Sequence, residues 1–271
     1  MKTPTLRYID GPFGQIHLRQ WQPASSPARR TLICLHPAPF SGLAFQHIAP
    51  FLAQQRRVIA PDYPGYGGSA PVPEGMPSIG DYADAMEVVL HHALEDSDGI
   101  GLIGFHTGCL VAAELCTRAL PGLDMSCLID VPAFPAEKSA DMARAFGSEF
   151  DVTDMLECLE KPWNSSFKSR LETQSRSSAF AMFVEQLRAG SAMNAAFHAA
   201  FSYDWQQRFT QVQVATTVLA TQSSLLDGSR AASRIIPGAR LLERLDVTRS
   251  VLDAHAEVIA ADLEALFERM M

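Results

Sequence analysis

Residues 100–109 read IGLIGFHTGC, an apolar run followed by two glycines that flank a histidine. The apolar run predicts a strand buried on both faces, and residues 108–119 predict a helix with apolar positions three and four residues apart. The turn between them must be sharp. Gly104 and Gly108 allow strand and helix to approach each other, and His106 can occupy the turn because histidine tolerates positive φ better than most residues.

The alternation of apolar runs with amphipathic helices extends to both sides of this turn. Such strands, each apolar throughout, are typical of a parallel sheet between two helix layers. Two further strands at 6–9 and 15–18, joined by the turn GPFG at 11–14, come first. The predicted buried strands lie at 31–35, 58–60, 100–103, 127–129, 217–219 and 240–242. The predicted helices lie at 43–55, 79–93, 108–119, 228–236 and 254–270.

Residues 135–208 interrupt this alternation, because they contain helical patterns and no convincing strand. The helical pieces are predicted at 138–146, 152–160, 179–188 and 192–201. We therefore divide the chain into a core domain, residues 1–134 and 209–271, and a helical cap, residues 135–208. Ligands of open α/β sheets bind at the carboxyl edge of the strands, and a cap above that edge would enclose a pocket.

Three segments, each at the end of a predicted strand, resemble motifs of the α/β-hydrolase superfamily. Residues 35–42 (LHPAPFSG) resemble its oxyanion loop, and residues 60–69 (APDYPGYGGS) are similar to the turn after its fourth strand. Residues 104–108 (GFHTG) occupy the place of the nucleophile elbow G-x-S-x-G. The resemblance covers nearly the whole chain outside the cap. It implies an α/β fold, with a mostly parallel central sheet flanked by helices and a helical cap inserted after the sixth strand.

The same resemblance implies a degenerate catalytic triad. A serine hydrolase needs a hydroxyl nucleophile, a histidine that takes its proton and a carboxylate that orients the histidine. Ungapped comparison places His106 at the nucleophile position, Ser224 at the acid position and Arg249 at the histidine position. Asp227 replaces the acid only if its loop bends back, and His255 lies six residues beyond Arg249.

Other residues near the elbow are candidates for chemistry. The backbone N–H groups of Ala38 and Thr107 are candidate oxyanion donors, although two prolines remove amides from the same loop. Asp130 lies at the end of the run at 127–129, where some relatives have an alternative acid, and is a candidate partner of His106. We take His106, Asp130 and Arg249 as catalytic candidates, Arg249 as a clamp for a carboxylate or phosphate group.

Four further side chains are expected to line the pocket, namely those of His36, Phe40, Phe105 and Ser224. The charge state of the imidazole at the elbow stays open at this point. A helix N-terminus disfavours an imidazolium, whereas a nearby carboxylate favours it.

The composition of the chain limits the kinds of molecule that it is expected to bind. The formal net charge is −8 and no basic block is present, which argues against nucleic acid. No apolar run reaches the roughly 18 residues of a membrane helix, and the N-terminal residues do not resemble a signal peptide. The five cysteines form no C-x-x-C pair, so we expect a reduced, cytoplasmic protein. The histidine pairs lack metal-ligand spacing, and we predict no metal and no cofactor.

Three functions remain open. The first is an enzyme, a hydrolase or a lyase-type catalyst of proton transfer, in which His106 acts on a small, partly apolar substrate. The second is a non-catalytic pseudo-hydrolase that binds a small ligand. The third is a regulatory or partner-binding subunit. The expected partner is a small molecule, which could be anionic, and the oligomeric state is left open, with a homodimer as one case.

Overall fold

The computed structural model describes residues 3–23, 30–72, 75, 77–146, 153 and 156–269. These residues form one sheet of eight strands in the order β1-β2-β4-β3-β5-β6-β7-β8. The strands are β1 (Thr5–Gly11), β2 (Gly14–Trp21), β3 (Thr31–Leu35), β4 (Arg57–Pro61), β5 (Ile100–Phe105), β6 (Leu123–Ile129), β7 (Ala215–Thr221) and β8 (Arg240–Arg244). Strands β1 and β2 pair antiparallel, as do β2 and β4, and the other pairs are parallel.

Helices cover both faces of this sheet. They are α1 (Ala49–Leu52), α2 (Ile79–Leu94), α3 (Thr107–Cys116), α4 (Ala136–Phe146), α5 (Glu157–Pro162), α6 (Arg176–Arg188), α7 (Ala195–Phe201), α8 (Trp205–Phe209), α9 (Leu226–Ile235) and α10 (Ala256–Arg269). Successive side chains of a strand point to opposite faces. Accordingly Ile33 joins an apolar cluster with α2 and α3, whereas Leu32 joins a second cluster with α1 and α10. The predicted fold class is confirmed.

Two predicted elements differ from the structure. The helix expected at 43–55 is divided into a 3-10 turn (Gly42–Phe45) and the single-turn α1, because Pro50 cannot continue a helix from the preceding turn. The strand expected to be buried at 240–242 is β8, an edge strand with exposed residues, and Leu241 is 42% exposed. The apolar residues of β8 are covered by the protein on one face of the sheet only.

Between β6 and β7 the described residues form helices α4 to α8, which we call the inserted helices. The predicted helix at 152–160 falls partly on residues outside the described ones, and its described part is α5. After α5 the chain makes a π-helical turn (Trp163–Phe167) and a 3-10 turn (Lys168–Arg170) before α6 begins. No helix of the described residues is long and apolar enough to cross a membrane.

Candidate active site

The turn between β5 and α3 holds His106 in an unusual backbone conformation. Its φ is 50° and its ψ is −119°, which are the angles of the first central residue of a type II′ turn. A side chain on either flanking glycine would clash. A Cβ on Gly104 would lie 2.7 Å from the Cα of Cys109, and one on Gly108 would overlap the carbonyl oxygen of Leu35. The glycines therefore let α3 begin directly against the sheet, and His106 is presented at its carboxyl edge.

The imidazole of His106 is partly buried and has no hydrogen-bond partner among the described residues. The pKa of His106 is lowered to about 4, chiefly by burial; the charge of Asp130 opposes this shift and the charge of Arg170 adds to it. Burial disfavours the charged form of an imidazole. At neutral pH the ring is therefore uncharged, and one of its nitrogens can accept a proton.

Asp130 lies at the end of β6, the strand next to β5, and is fully buried. Its carboxylate accepts hydrogen bonds from the backbone N–H of Thr221 at 2.8 Å and from the Thr221 hydroxyl at 2.7 Å. No hydrogen bond or ion pair joins it to His106 in the described part of the chain. Asp130 thus acts on the imidazole through its charge rather than as a hydrogen-bonded orienting group.

The two candidate oxyanion donors contact each other through a side chain. The backbone N–H of Ala38 donates a hydrogen bond of 2.6 Å to the hydroxyl oxygen of Thr107. The hydroxyl therefore occupies the place where a ligand oxygen would meet the Ala38 amide. Because this oxygen accepts from Ala38, the Thr107 O–H can donate to another group. The backbone N–H of Thr107 is at the first position of α3, where no intrahelical acceptor exists.

A chamber of about 560 Å³ lies on one side of His106, and charged and hydroxyl side chains stand among its apolar lining. Two arginines, Arg170 and Arg249, and two acids, Asp130 and Asp253, line it. Its hydroxyl groups belong to Ser165, Ser169, Thr173, Thr221, Ser223, Ser224, Thr248 and Ser250. The rings of Phe40 and Phe105 are among the apolar groups that line its wall. We call this space the arginine chamber.

A second chamber, of about 190 Å³, lies on the other side of His106 and is mostly apolar. Its walls include four aromatic rings, those of Phe134, Phe146, Phe197 and Phe201. The rings of Phe146 and Phe197 lie 4.6 Å apart between centroids. We call this space the aromatic chamber. His106 and Ser224 line both chambers, so the imidazole lies where they meet.

Arg170 brings a partly buried positive charge into the arginine chamber. Its guanidinium carbon lies 4.9 Å from the centroid of the Phe40 ring, and its Nε is buried without a hydrogen-bond partner. Burial lowers the pKa of Arg170, and the charge of Asp253 opposes this effect. An arginine nevertheless remains protonated in proteins. Asp253 accepts a hydrogen bond of 2.8 Å from the Gln174 side chain and makes no ion pair with Arg170.

The sequence matches the model of the alpha/beta hydrolase family over residues 32–264, which is more than half of the chain. The chain belongs to the alpha/beta hydrolase family. A search of curated protein sequences gave no match.

Solved structures of this family share its fold at low sequence identity. A hydrolase from Pseudomonas aeruginosa PA01 is 19% identical with a TM-score of 0.73, covering 98% of this chain and 96% of that one. An epoxide hydrolase from Vigna radiata is 14% identical with a TM-score of 0.76, covering 99% of each chain. The enol-lactonase from Burkholderia xenovorans LB400 is 17% identical with a TM-score of 0.74, covering 97% of this chain and 100% of that one.

Most residues singled out in the sequence of this alpha/beta hydrolase reach the two chambers. His106, Asp130, Phe40, Phe105 and Ser224 line the arginine chamber. Ala38 and Thr107 line the aromatic chamber. Arg249 lines the edge of the arginine chamber, where its side chain is 59% exposed and forms an ion pair with Glu172. Arg249 is therefore a partly neutralised cation on the rim rather than a buried clamp.

His36 is a correction to the expected pocket. It is fully buried and lines neither chamber, because both of its ring nitrogens bond to the backbone. The backbone N–H of Tyr63 donates to Nε2 at 3.0 Å, so Nδ1 carries the proton and donates to the Pro37 carbonyl at 3.1 Å. This ring joins the loops after β3 and β4, which is a structural role.

Asp227 and His255, the substitutes considered for the acid and the histidine of the triad, lie away from the imidazole. The Asp227 side chain is 99% exposed on the first turn of α9, and its loop does not bend back toward His106. His255 precedes α10 and lines neither chamber. The nearby thiol of Cys109 is buried and bonds to the carbonyls of Gly104 and Ile129, and burial raises its pKa well above the ordinary value.

Arg170 is the site residue that sequence reasoning missed. It lies in the least regular part of the inserted helices, directly after a π-helical turn and within a 3-10 turn. Local widening of a helix of this kind is frequent at functional sites. A helical periodicity of 3.6 residues does not predict the direction of a side chain that follows such a turn. In the sequence, Arg170 stands out only as an arginine close to apolar residues of the inserted helices.

Proposed function

We propose that this alpha/beta hydrolase is a hydrolase- or lyase-type enzyme that uses His106 as a general base on a small, partly apolar substrate. One observation carries the proposal: an uncharged imidazole with no hydrogen-bond partner among the described residues lies on a strained turn where two chambers of different chemistry meet. A general base needs a free lone pair within hydrogen-bond reach of the substrate.

In the proposed step, a nitrogen of His106 removes a proton from the substrate or from a water molecule that attacks it. The electron pair released by the proton moves into the substrate, and the imidazolium returns the proton to the product. Asp130 stabilises the imidazolium because its charge raises the pKa of His106. The Thr107 hydroxyl, polarised by the Ala38 amide, donates a hydrogen bond to the oxygen on which negative charge develops.

Acyl transfer through an imidazole nucleophile is less well supported. Acyl transfer and ester hydrolysis by water both develop an oxyanion, and the Ala38 amide, one of its two candidate backbone donors, is already bonded to Thr107. Proton transfer needs only the base and one donor. The geometry therefore favours reactions in which His106 moves a proton and forms no covalent bond.

The test compares wild type with His106→Ala and His106→Gln on a panel of an ester, a lactone and an epoxide, together with deuterium exchange at the α-carbon of a keto acid. The similar enol-lactonase and epoxide hydrolase suggest the lactone and the epoxide, and the ester is a general substrate for hydrolases. We expect at least one activity in the wild type and a loss of roughly 10²-fold or more in both variants. Asp130→Asn should lower the same activity less. A wild type without turnover on any member, or equal rates in the variants, contradicts the proposal.

A second candidate is a non-catalytic protein that binds a small ligand in the same chambers. The Ala38–Thr107 hydrogen bond favours it, because this bond fills the site of oxyanion stabilisation. A binder keeps its ligand affinity when His106 is replaced by alanine and turns over no member of the panel. An enzyme loses turnover in that variant and keeps most of its affinity.

A further inference from the structure

The two chambers that border His106 differ in chemistry, so each would bind a different chemical group of a ligand. The arginine chamber offers a cation and many hydroxyl groups, whereas the aromatic chamber offers four phenyl rings. His106 and Ser224 line both chambers, so a single molecule that spans them would pass the imidazole. Such a molecule has a polar end and an apolar end.

Arg170 determines which chemical group the polar end of the ligand carries. Arg170 is partly buried, its Nε is fully buried, and it forms no ion pair among the described residues; such a guanidinium pays a desolvation penalty that an anion offsets. Among the described residues Arg170 contacts the face of Phe40 and is close enough to Asp253 and His106 for their charges to interact, but its Nε has no hydrogen-bond partner. The other arginine of the chamber, Arg249, is exposed and already paired with Glu172. The cation that can accept an anionic ligand is therefore Arg170.

The anion is more compatible with one negative charge than with two. A guanidinium binds carboxylates and phosphates in the same bidentate manner. Asp130 and Asp253 line the same chamber, however, and repel a ligand in proportion to its charge. A carboxylate meets half of the repulsion that a phosphate dianion meets.

The volume of the aromatic chamber limits the apolar end. An apolar cavity of about 150 Å³ holds one benzene ring. The aromatic chamber, at about 190 Å³, therefore has room for one ring or a short branched chain, and not for a long acyl chain.

We propose that the ligand of this site is a carboxylate that carries one aromatic ring or an apolar group of similar size, with the carboxylate on Arg170 and the ring in the aromatic chamber. The bond between the two groups then lies over His106. The inference deepens the proposed function, on which it rests only for the place of reaction.

The arrangement also links binding to basicity. The positive charge of Arg170 lowers the pKa of His106. A carboxylate bound to Arg170 cancels that charge and raises the pKa of the imidazole toward its ordinary range. The base therefore becomes stronger when the correct anion is present, and a neutral ligand of the same shape does not have this effect.

The first experiment measures binding by calorimetry with two probes, phenylacetate and 3-phenylpropionate, and two controls, phenylacetamide and acetate. We expect wild type to bind an aryl carboxylate about tenfold or more tightly than either control, since each control lacks one of the two groups. Equal affinity for acid and amide, or no binding of either aryl carboxylate at millimolar concentration, overturns the inference.

The second experiment repeats the titration with Arg170→Gln, Arg170→Lys and Arg176→Gln. Arg176, the first residue of α6, is an exposed arginine that lines neither chamber, so its replacement is the matched control. We expect about tenfold or greater loss of affinity in Arg170→Gln, a smaller loss in Arg170→Lys and none in Arg176→Gln. A folded Arg170→Gln protein that binds phenylacetate like wild type overturns the inference.

A third variant, Ala200→Leu, reduces the volume of the aromatic chamber, which Ala200 lines. It should weaken phenylacetate binding and leave acetate unaffected. These affinities separate the two proposals. If the acids bind through Arg170 and no substrate of the panel is turned over, the proposed function fails and the ligand class stands. If His106-dependent turnover occurs without any preference for acids, the ligand class fails alone.

Discussion

The backbone N–H of Ala38 donates a 2.6 Å hydrogen bond to the hydroxyl of Thr107, across 69 residues of sequence. The bond connects the loop after β3 with the first turn of α3. It also gives the buried Ala38 amide a partner within the protein, so that no ligand oxygen is required to satisfy it.

Replacement of Thr107 by valine should destabilise the protein by about 1–3 kcal/mol. The variant keeps the shape of the side chain and leaves the Ala38 amide without an acceptor. Urea unfolding at neutral pH measures this change. Thr107→Ser keeps the hydroxyl and is the control, with an expected loss below that of valine. Equal stability of the valine variant and wild type would show that the bond contributes nothing.

Lowering the pH should destabilise the protein through His36. Burial lowers the pKa of His36 from 6.5 to about 4. Between these values the unfolded chain binds a proton that the folded chain does not, so stability is complete above about pH 6.5 and declines as the pH falls toward 4. The largest loss from this residue is about 3 kcal/mol. Unfolding in urea at several pH values measures it.

The titration of His36 itself can be followed by NMR. Its ring resonances should remain constant from pH 8 to about pH 5. A His36 ring that titrates with a midpoint near the ordinary histidine value contradicts the buried, backbone-bonded position.

Replacement of Glu185 by leucine should destabilise the protein by about 1–3 kcal/mol. Glu185 is a buried residue of α6, and its carboxylate accepts a hydrogen bond from the Ser41 hydroxyl in the loop after β3. Leucine leaves that hydroxyl without its acceptor. Glu185→Gln retains an acceptor oxygen and should be milder. Thermal or urea unfolding measures both variants.

Glu172 supplies the control for this prediction. It forms an exposed ion pair with Arg249, and exposed pairs contribute up to about 1 kcal/mol. Glu172→Gln should therefore change stability less than Glu185→Leu. The reverse order would mean that the contact between α6 and the β3 loop is weaker than its burial indicates.

Replacement of Gly108 by alanine should cost about 3 kcal/mol, because a Cβ there overlaps the Leu35 carbonyl oxygen and backbone cannot yield as a side chain can. Gly190 is the matched control. Its φ is +53° and the described residues place no heavy atom within 4 Å of a Cβ built on it. Gly190→Ala should cost only about 1–2 kcal/mol, the strain of a positive φ. Similar losses in the two variants would contradict the close approach of α3 to β3.

The sequence predicted the elbow because its physical requirements are local. A buried strand, two glycines and a helix follow each other within 20 residues, and the structure places His106 on the turn between them. The expectation for His36 was wrong because the direction of its ring depends on the Tyr63 amide, 27 residues away. Arg170 was not predicted because its position depends on how a distorted helical segment packs on Phe40. The spacing of apolar residues along the chain gives no information about either of these contacts.

His106 and Asp130, at the ends of neighbouring strands, both have positive φ. A non-glycine residue in such a conformation costs about 1–3 kcal/mol, and glycine at position 106 would avoid most of that cost. His106 therefore occupies a backbone conformation that is unfavourable for a residue with a side chain. Laboratory selection of this chain for heat resistance alone would therefore favour glycine over histidine at this corner, and would remove the proposed general base with it.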